Sequence, residues 1–77
     1  MPTVRYFAGA AEAAGCESEA RSERRLDDLR VAVVGDHARL GTVLPRCAVL
    51  LNGRRVDADA ELIEGDVVDI LPPFAGG

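Results

Sequence analysis

Lysine and tryptophan are absent from this chain, and histidine occurs once, at His37. Without lysine there is no amine for a Schiff base, no P-loop lysine for a nucleotide phosphate, and no side chain through which copies could be joined to one another. All nine basic residues are arginines, set against thirteen carboxylates for a formal charge of -4. Counterion release on nucleic acid needs a basic face, so no nucleic-acid partner is expected. Aromatics are confined to Tyr6, Phe7 and Phe74, which predicts an aliphatic core. Cys16 and Cys47 form no CxxC pair, and a structural zinc site takes about four ligands; both are read as plain thiols and no metal site is expected. The longest apolar runs, such as Val31 to Val34 and Ala48 to Leu51, fall far short of the roughly 18 residues of a membrane span. The opening residues lack a charged segment followed by an apolar one of signal-peptide length, so a cytoplasmic location without a membrane partner is the expectation.

What is present reads as one small domain. The chain has 77 residues, 48% of them apolar, in a size range where only about 60% of the unfolded surface is buried on folding. Thr3 to Ala8, TVRYFA, is rich in β-branched and aromatic residues and predicts a strand. Gly9 to Gly15 is alanine-rich and glycine-bounded, a short helix with Gly15 at its C-terminal cap. Cys16 to Ser22 alternates small and charged residues, as a solvent-facing edge strand does. Leu26, Leu29, Ala32 and Val33 share one helical face within Arg25 to Val34, with Asp27 and Asp28 in the first turn and Gly35 expected just past the last.

The second half begins with an irregular connection, Asp36 to Arg46, with room for one helical turn. Cys47 to Val56 is an apolar strand running into Asn52-Gly53, the pair that suits a two-residue type I′ hairpin. The stretch from Asp57 to Asp66 is acidic and turn-rich. Its carboxylates, with Asp69 beyond them, are read as a solvated face, against the sharper alternative of docking onto a basic surface. The pairs Arg24-Arg25 and Arg54-Arg55 and the lone His37 are read as surface residues. Val67 to Leu71 is a buried strand that Pro72-Pro73 must end, because proline has no N–H for a ladder. A helix between two hairpin-like halves predicts an α+β layer, one main helix across a mixed sheet of about five strands over residues 1–71. If the last strand pairs in parallel with the first, the β-grasp is one of few topologies left. Residues 72–77 are then an extended C-terminal tail ending in Gly-Gly.

Four blocks of this sequence, VRYFAGAAEAAG, LLNGRRV, LIEGDVVDILPP and the terminal AGG, occur in the order found in a known family. The chain resembles the MoaD/ThiS family of ubiquitin-like sulfur carriers, and its RYFA opening and LPPFAGG end are most similar to the molybdopterin synthase small-subunit (MoaD type) branch. Many members carry Arg where this chain has Ala11, before Glu12, so a partner contact made by that Arg is not carried over. The resemblance implies a β-grasp fold and a chain that is not an enzyme on its own. An E1-like adenylyltransferase would use ATP to adenylate the Gly77 carboxylate, and a persulfide enzyme would then leave a thiocarboxylate there. That sulfur would pass to a pterin precursor held by the molybdopterin synthase large subunit, in a heterotetramer, to build the dithiolene. No cofactor would be bound by the chain itself.

This chemistry gives the tail residues physical roles. A carboxylate is a poor electrophile and has to be activated. An extended segment spans about 3.3 Å per residue, so Leu71 to Gly77 reaches roughly 20 Å into a partner's pocket. Pro72 and Pro73 favour a stiff polyproline-like exit, and Ala75, Gly76 and Gly77 leave room for a narrow channel to close around the backbone. Phe74 is read as a partner-facing anchor, with folding back onto the sheet as the competing arrangement. Phe7 and Leu71, at the ends of the first and last strands, are candidate interface residues for which core burial is the alternative. The rival functions are a sulfur carrier for thiamine or cysteine synthesis and a ubiquitin-like modifier or interaction module.

Overall fold

In the computed structural model, which describes residues 1–73, the chain runs β1 (Thr3–Tyr6), α1 (Gly9–Ala14), β2 (Ser18–Ala20), α2 (Leu26–Asp36), α3 (Leu40–Val43), a 3-10 turn (Leu44–Arg46), β3 (Ala48–Leu51), β4 (Arg54–Arg55) and β5 (Val67–Leu71). The strands form one sheet in the order β2-β1-β5-β3-β4. β1 and β5 pair in parallel at its centre, while β1/β2, β3/β5 and β3/β4 are antiparallel. With α2 across one face this is the β-grasp.

Alternation along the strands sorts the two faces. Val4, Tyr6, Val49, Val68 and Ile70 point inward, where they meet Leu26, Leu29 and Val33 of α2, Ala10 and Ala14 of α1, and Leu40, Leu44 and Leu62. Seven residues of this core, Leu26, Leu29, Leu40, Ile70, Val4, Val33 and Val68, are almost completely excluded from solvent. Each such aliphatic side chain contributes about 1.5–3 kcal/mol of transfer free energy, so α2 and the two central strands supply much of the folding drive.

The helices and turns follow local chemistry with some instructive departures. Gly15 ends α1 in the left-handed conformation, its N–H donating to the Ala11 carbonyl. Asn52 and Gly53 take φ of 51° and 84°, the pair of positive values that a type I′ turn requires. Gly35, expected beyond the end of α2, lies inside it; the helix runs on to Asp36, and the His37 N–H closes it on the Val33 carbonyl. No side chain of the residue preceding α2 caps it. Instead the Asp59 carboxylate, 32 residues away, accepts the Asp27 N–H at 2.9 Å while holding Arg25 at 2.7 Å.

The acidic stretch is therefore only partly a solvated face. Asp66 accepts the Ile63 N–H and the Asn52 amide, and Asn52 Oδ1 accepts the Val67 N–H, so the hairpin turn is clamped to the start of β5. Asp69 is buried in β5, where Arg5 donates to both carboxylate oxygens at 2.6 and 2.8 Å. A carboxylate on a central strand is tolerable only with such a bidentate partner. Ala8, between β1 and α1, adopts φ 50° and ψ -125°, a region that glycine occupies freely and other residues occupy at a cost of about 1–3 kcal/mol. Ala8→Gly is expected to raise folding stability by about 1 kcal/mol, read as a higher urea midpoint at unchanged slope.

Four carboxyls sit below their usual range. The Arg21 guanidinium lowers Glu23, the Asp27 N–H followed by Arg25 lowers Asp59, and the Ile63 N–H followed by Asn52 lowers Asp66. Burial alone would raise Glu19, but hydrogen bonds from Tyr6, His37 and Arg21 outweigh it and hold Glu19 down. A carboxyl depressed in the folded state adds stability that is complete above its ordinary value near 4 and is lost as pH falls through the folded value. Urea midpoints should hold steady from neutrality to about pH 5 and drop between about pH 5 and pH 3, with Asp59→Asn showing a shallower drop than the parent.

Candidate functional site

The site begins where the central pair of strands ends. Tyr6 stands opposite Ile70 in the parallel register, and the Phe7 N–H continues the ladder onto the Ile70 carbonyl at 3.2 Å. Phe7 and Leu71 therefore leave β1 and β5 side by side on the sheet face away from α2. Ala48, opposite Leu71, and Leu50, opposite Asp69, extend this face onto β3. Phe7 is 38% exposed, and Leu71, Ala48 and Leu50 are half-buried. Of the two arrangements open for Phe7 and Leu71, the structure favours accessibility over core burial.

A polar pair fixes this apolar surface. The Arg5 guanidinium, tied to Asp69, lies 5.8 Å from the centroid of the Phe7 ring, within range of a cation–π contact. One arginine thus neutralises the buried carboxylate and orients the aromatic next to it. β5 ends at Leu71, Pro72 is half-buried and Pro73 exposed, so the backbone leaves the sheet at the proline pair, as the missing N–H groups require. Phe74, Ala75, Gly76 and Gly77, named from the sequence as anchor, channel-lining residues and reacting terminus, lie outside the described residues.

The remaining chemistry-bearing side chains are quiet. Cys16 and Cys47 are free thiols. Burial and then the Glu19 charge push Cys16 up, and burial pushes Cys47 up, so neither is an activated nucleophile. Cys47 points its Sγ at the Val43 carbonyl at 3.3 Å. It sits in a cleft of about 600 Å³ between α2 and β3-β4, with Val31, Val34 and Val56 among its walls. His37 is not the plain surface residue expected from sequence: its Nε2 lies 2.7 Å from Glu19 Oε2, and its ring stands edge-on to Tyr6 at 6.2 Å. The Tyr6 hydroxyl donates to the same oxygen at 2.7 Å, and burial followed by that carboxylate pushes the phenol well above its ordinary range. Sequence spacing concealed this meeting because its members come from β1, β2 and the end of α2.

Residues 4–77 match the model of the ThiS family. The chain belongs to the ThiS family. Among curated proteins, this ThiS-family chain is 35% identical over 80 residues to a molybdopterin synthase sulfur carrier subunit of Chlamydomonas reinhardtii, covering 96% of this chain and 95% of that one. Among solved structures, it resembles one chain of the complex of subunits 1 and 2 of the molybdopterin-converting factor of Helicobacter pylori 26695, with 31% identity and a TM-score of 0.77 over 99% of this chain and 97% of that one. It also resembles SAMP1 of Haloferax volcanii, with 26% identity and a TM-score of 0.81 over 99% and 98% of the two chains. A carrier subunit and a member of a two-subunit complex agree with a chain that is not a catalyst on its own. No helix of the described residues is long and apolar enough to cross a membrane.

If the face bearing Phe7 and Leu71 is a docking surface, its loss is separable from folding. Phe7→Ala and Leu71→Arg are expected to weaken association with a molybdopterin synthase large subunit by roughly tenfold or more, about 1.4 kcal/mol. Calorimetric titration measures the affinity, and melting by circular dichroism should move little.

Proposed function

We propose that this chain is a sulfur carrier that works as the small subunit of molybdopterin synthase, holding sulfur as a thiocarboxylate on Gly77. The observation that carries the reading is the placement of β5. The strand feeding the tail is the middle one of the sheet, anchored on both sides and through its buried Asp69. The backbone leaves it at Leu71-Pro72 beside an exposed aromatic. A rigid exit next to an accessible apolar face is what tail insertion into another subunit calls for. The family match running through residue 77 and the carrier relative support the same reading.

In this scheme the fold contributes positioning and the Gly77 carboxylate contributes the reacting atom. An E1-like enzyme uses ATP to convert the carboxylate to an acyl-adenylate, releasing pyrophosphate. A persulfide displaces AMP to give an acyl disulfide, and a second thiol attacks the disulfide on its enzyme side, releasing the thiocarboxylate and leaving an enzyme disulfide. In complex with the large subunit, the sulfur passes to a pterin precursor whose catalytic side chains lie on that partner. The location is cytoplasmic in this reading. Feeding thiamine or cysteine synthesis instead would use the same terminus with a different acceptor.

A second reading is favoured by one specific finding, the likeness to SAMP1, the small archaeal modifier protein 1 of Haloferax volcanii. There the activated terminus would be joined to a target amine. Incubation with an E1-like enzyme, ATP and a sulfur source, followed by intact mass spectrometry, separates the readings. The carrier reading expects the mass gain of one oxygen replaced by sulfur, abolished by deleting Gly77. An unmodified chain, under conditions that charge another carrier, would overturn it, and mass addition to lysines of other proteins would favour the modifier.

A further inference from the structure

Cys16, Glu19 and His37 bring one thiol sulfur, one carboxylate oxygen and one imidazole nitrogen within 4.8 Å of one another. We infer that these three residues form a binding site for a divalent, borderline-soft cation, with zinc as the ion of choice. The inference stands apart from the thiocarboxylate chemistry, since the site uses neither the tail nor the face bearing Phe7 and Leu71.

The three ligands come from three separate elements, which is why the spacing in sequence gave no sign of them. Cys16 follows the left-handed Gly15 that ends α1. Glu19 is the central residue of β2, opposite Val4. His37 closes α2. All three are half-buried, so the group is shielded from bulk water yet open to an entering ion.

The geometry is close to what zinc requires. With bonds of about 2.0–2.1 Å to nitrogen and oxygen and about 2.3 Å to sulfur, tetrahedral ligand atoms lie roughly 3.4–3.6 Å apart. The His37 Nε2 and Glu19 Oε2 atoms are 2.7 Å apart and need to open by about 0.7 Å. The sulfur, within 4.8 Å of both, needs to close by no more than about 1.3 Å, which a Cys χ1 adjustment covers. On binding, the Cys16 thiol proton leaves to solvent and the thiolate pair goes to the metal. The His37 Nε2 proton that the contact with the Glu19 carboxylate uses passes to Nδ1 or to solvent, which frees the Nε2 lone pair for the metal. The fourth position is left for a water molecule.

Surrounding groups favour such an ion. The Tyr6 hydroxyl donates to Glu19 Oε2 at 2.7 Å and Arg21 reaches Glu19 Oε1 at 3.3 Å, fixing the carboxylate as outer hydrogen bonds do for metal ligands. Arg21 brings positive charge, but it is shared with Glu23 and Asp36 as well, so the neighbourhood is net negative. The mix of sulfur, nitrogen and oxygen donors selects zinc-like ions over calcium or magnesium, which prefer oxygen alone.

The test uses the full chain, stripped with chelator and kept reduced. Cobalt(II) should give intense visible bands of tetrahedral type together with a thiolate charge-transfer band, and zinc should displace it with a dissociation constant of about 1 µM or tighter. Cys16→Ser and His37→Gln should each weaken zinc binding by roughly 100-fold or more, and Tyr6→Phe by about tenfold, while Cys47→Ser changes nothing. Circular dichroism establishes that each variant folds. A thiolate band that survives Cys16→Ser but vanishes in Cys47→Ser would overturn the inference. So would unchanged affinity in His37→Gln, or zinc binding no tighter than about 1 mM in the parent chain.

Discussion

Everything in this molecule depends on the parallel pairing of β1 with β5. It joins the first strand of the chain to the last across a separation of more than sixty residues, so loop-closure entropy opposes it until the intervening helix and hairpin are in place. Once formed, it puts Val4, Tyr6, Val68 and Ile70 side by side against α2. The same ladder places Arg5 opposite Asp69 and carries Phe7 and Leu71 out together on the far face. The core, the outer face and the strand end at Leu71 are three outcomes of one register. A slip by one residue would turn Asp69 into the core and Ile70 toward solvent, which makes the alternative registers costly.

A domain this small has little apolar surface to spare, and polar clamps between distant segments complete it. Asp59 caps α2 from the loop before β5, Asp66 and Asn52 tie the hairpin turn to β5, and Glu19 gathers Tyr6, Arg21 and His37. Among the described residues no buried side-chain nitrogen or oxygen lacks a partner. Each clamp is worth little where it is exposed. Its value lies in closing the acidic loop and the short edge strand, which have few apolar contacts to hold them.

Much of this was legible in the sequence because the signals were local. The period of Leu26, Leu29 and Val33, the Gly15 cap and the Asn52-Gly53 turn all act within a few residues, and each appears where its chemistry places it. The β-grasp expectation rested on the last strand pairing in parallel with the first, and β1 and β5 pair in that way. Illegible were the features made by residues far apart in sequence. Asp69 read as one more acidic surface group until the register set Arg5 beside it, and His37 read as an isolated surface residue until β2 brought Glu19 to it. Gly35 read as a stop signal, yet nothing stands where a Cβ at that position would be. The helix continues past it because its core face, not its glycine, sets its length. The strain at Ala8 had no signal in sequence at all, since alanine carries no mark of the backbone it is asked to adopt.

The division of labour that results is physical before it is functional. The face under α2 is closed by aliphatic packing and tolerates little change. The opposite face carries exposed Phe7 and Arg5, half-buried Leu71 and Leu50 and buried Asp69, and it lacks a covering layer among the described residues. A sheet so covered on one side and bare on the other can receive a partner without unfolding anything. Because β5 is central, force or strain applied at the tail is resisted by ladders on both of its sides. For the thiocarboxylate role proposed above, this arrangement would let the sulfur pass from one partner to another while the anchor that presents it stays in a single register.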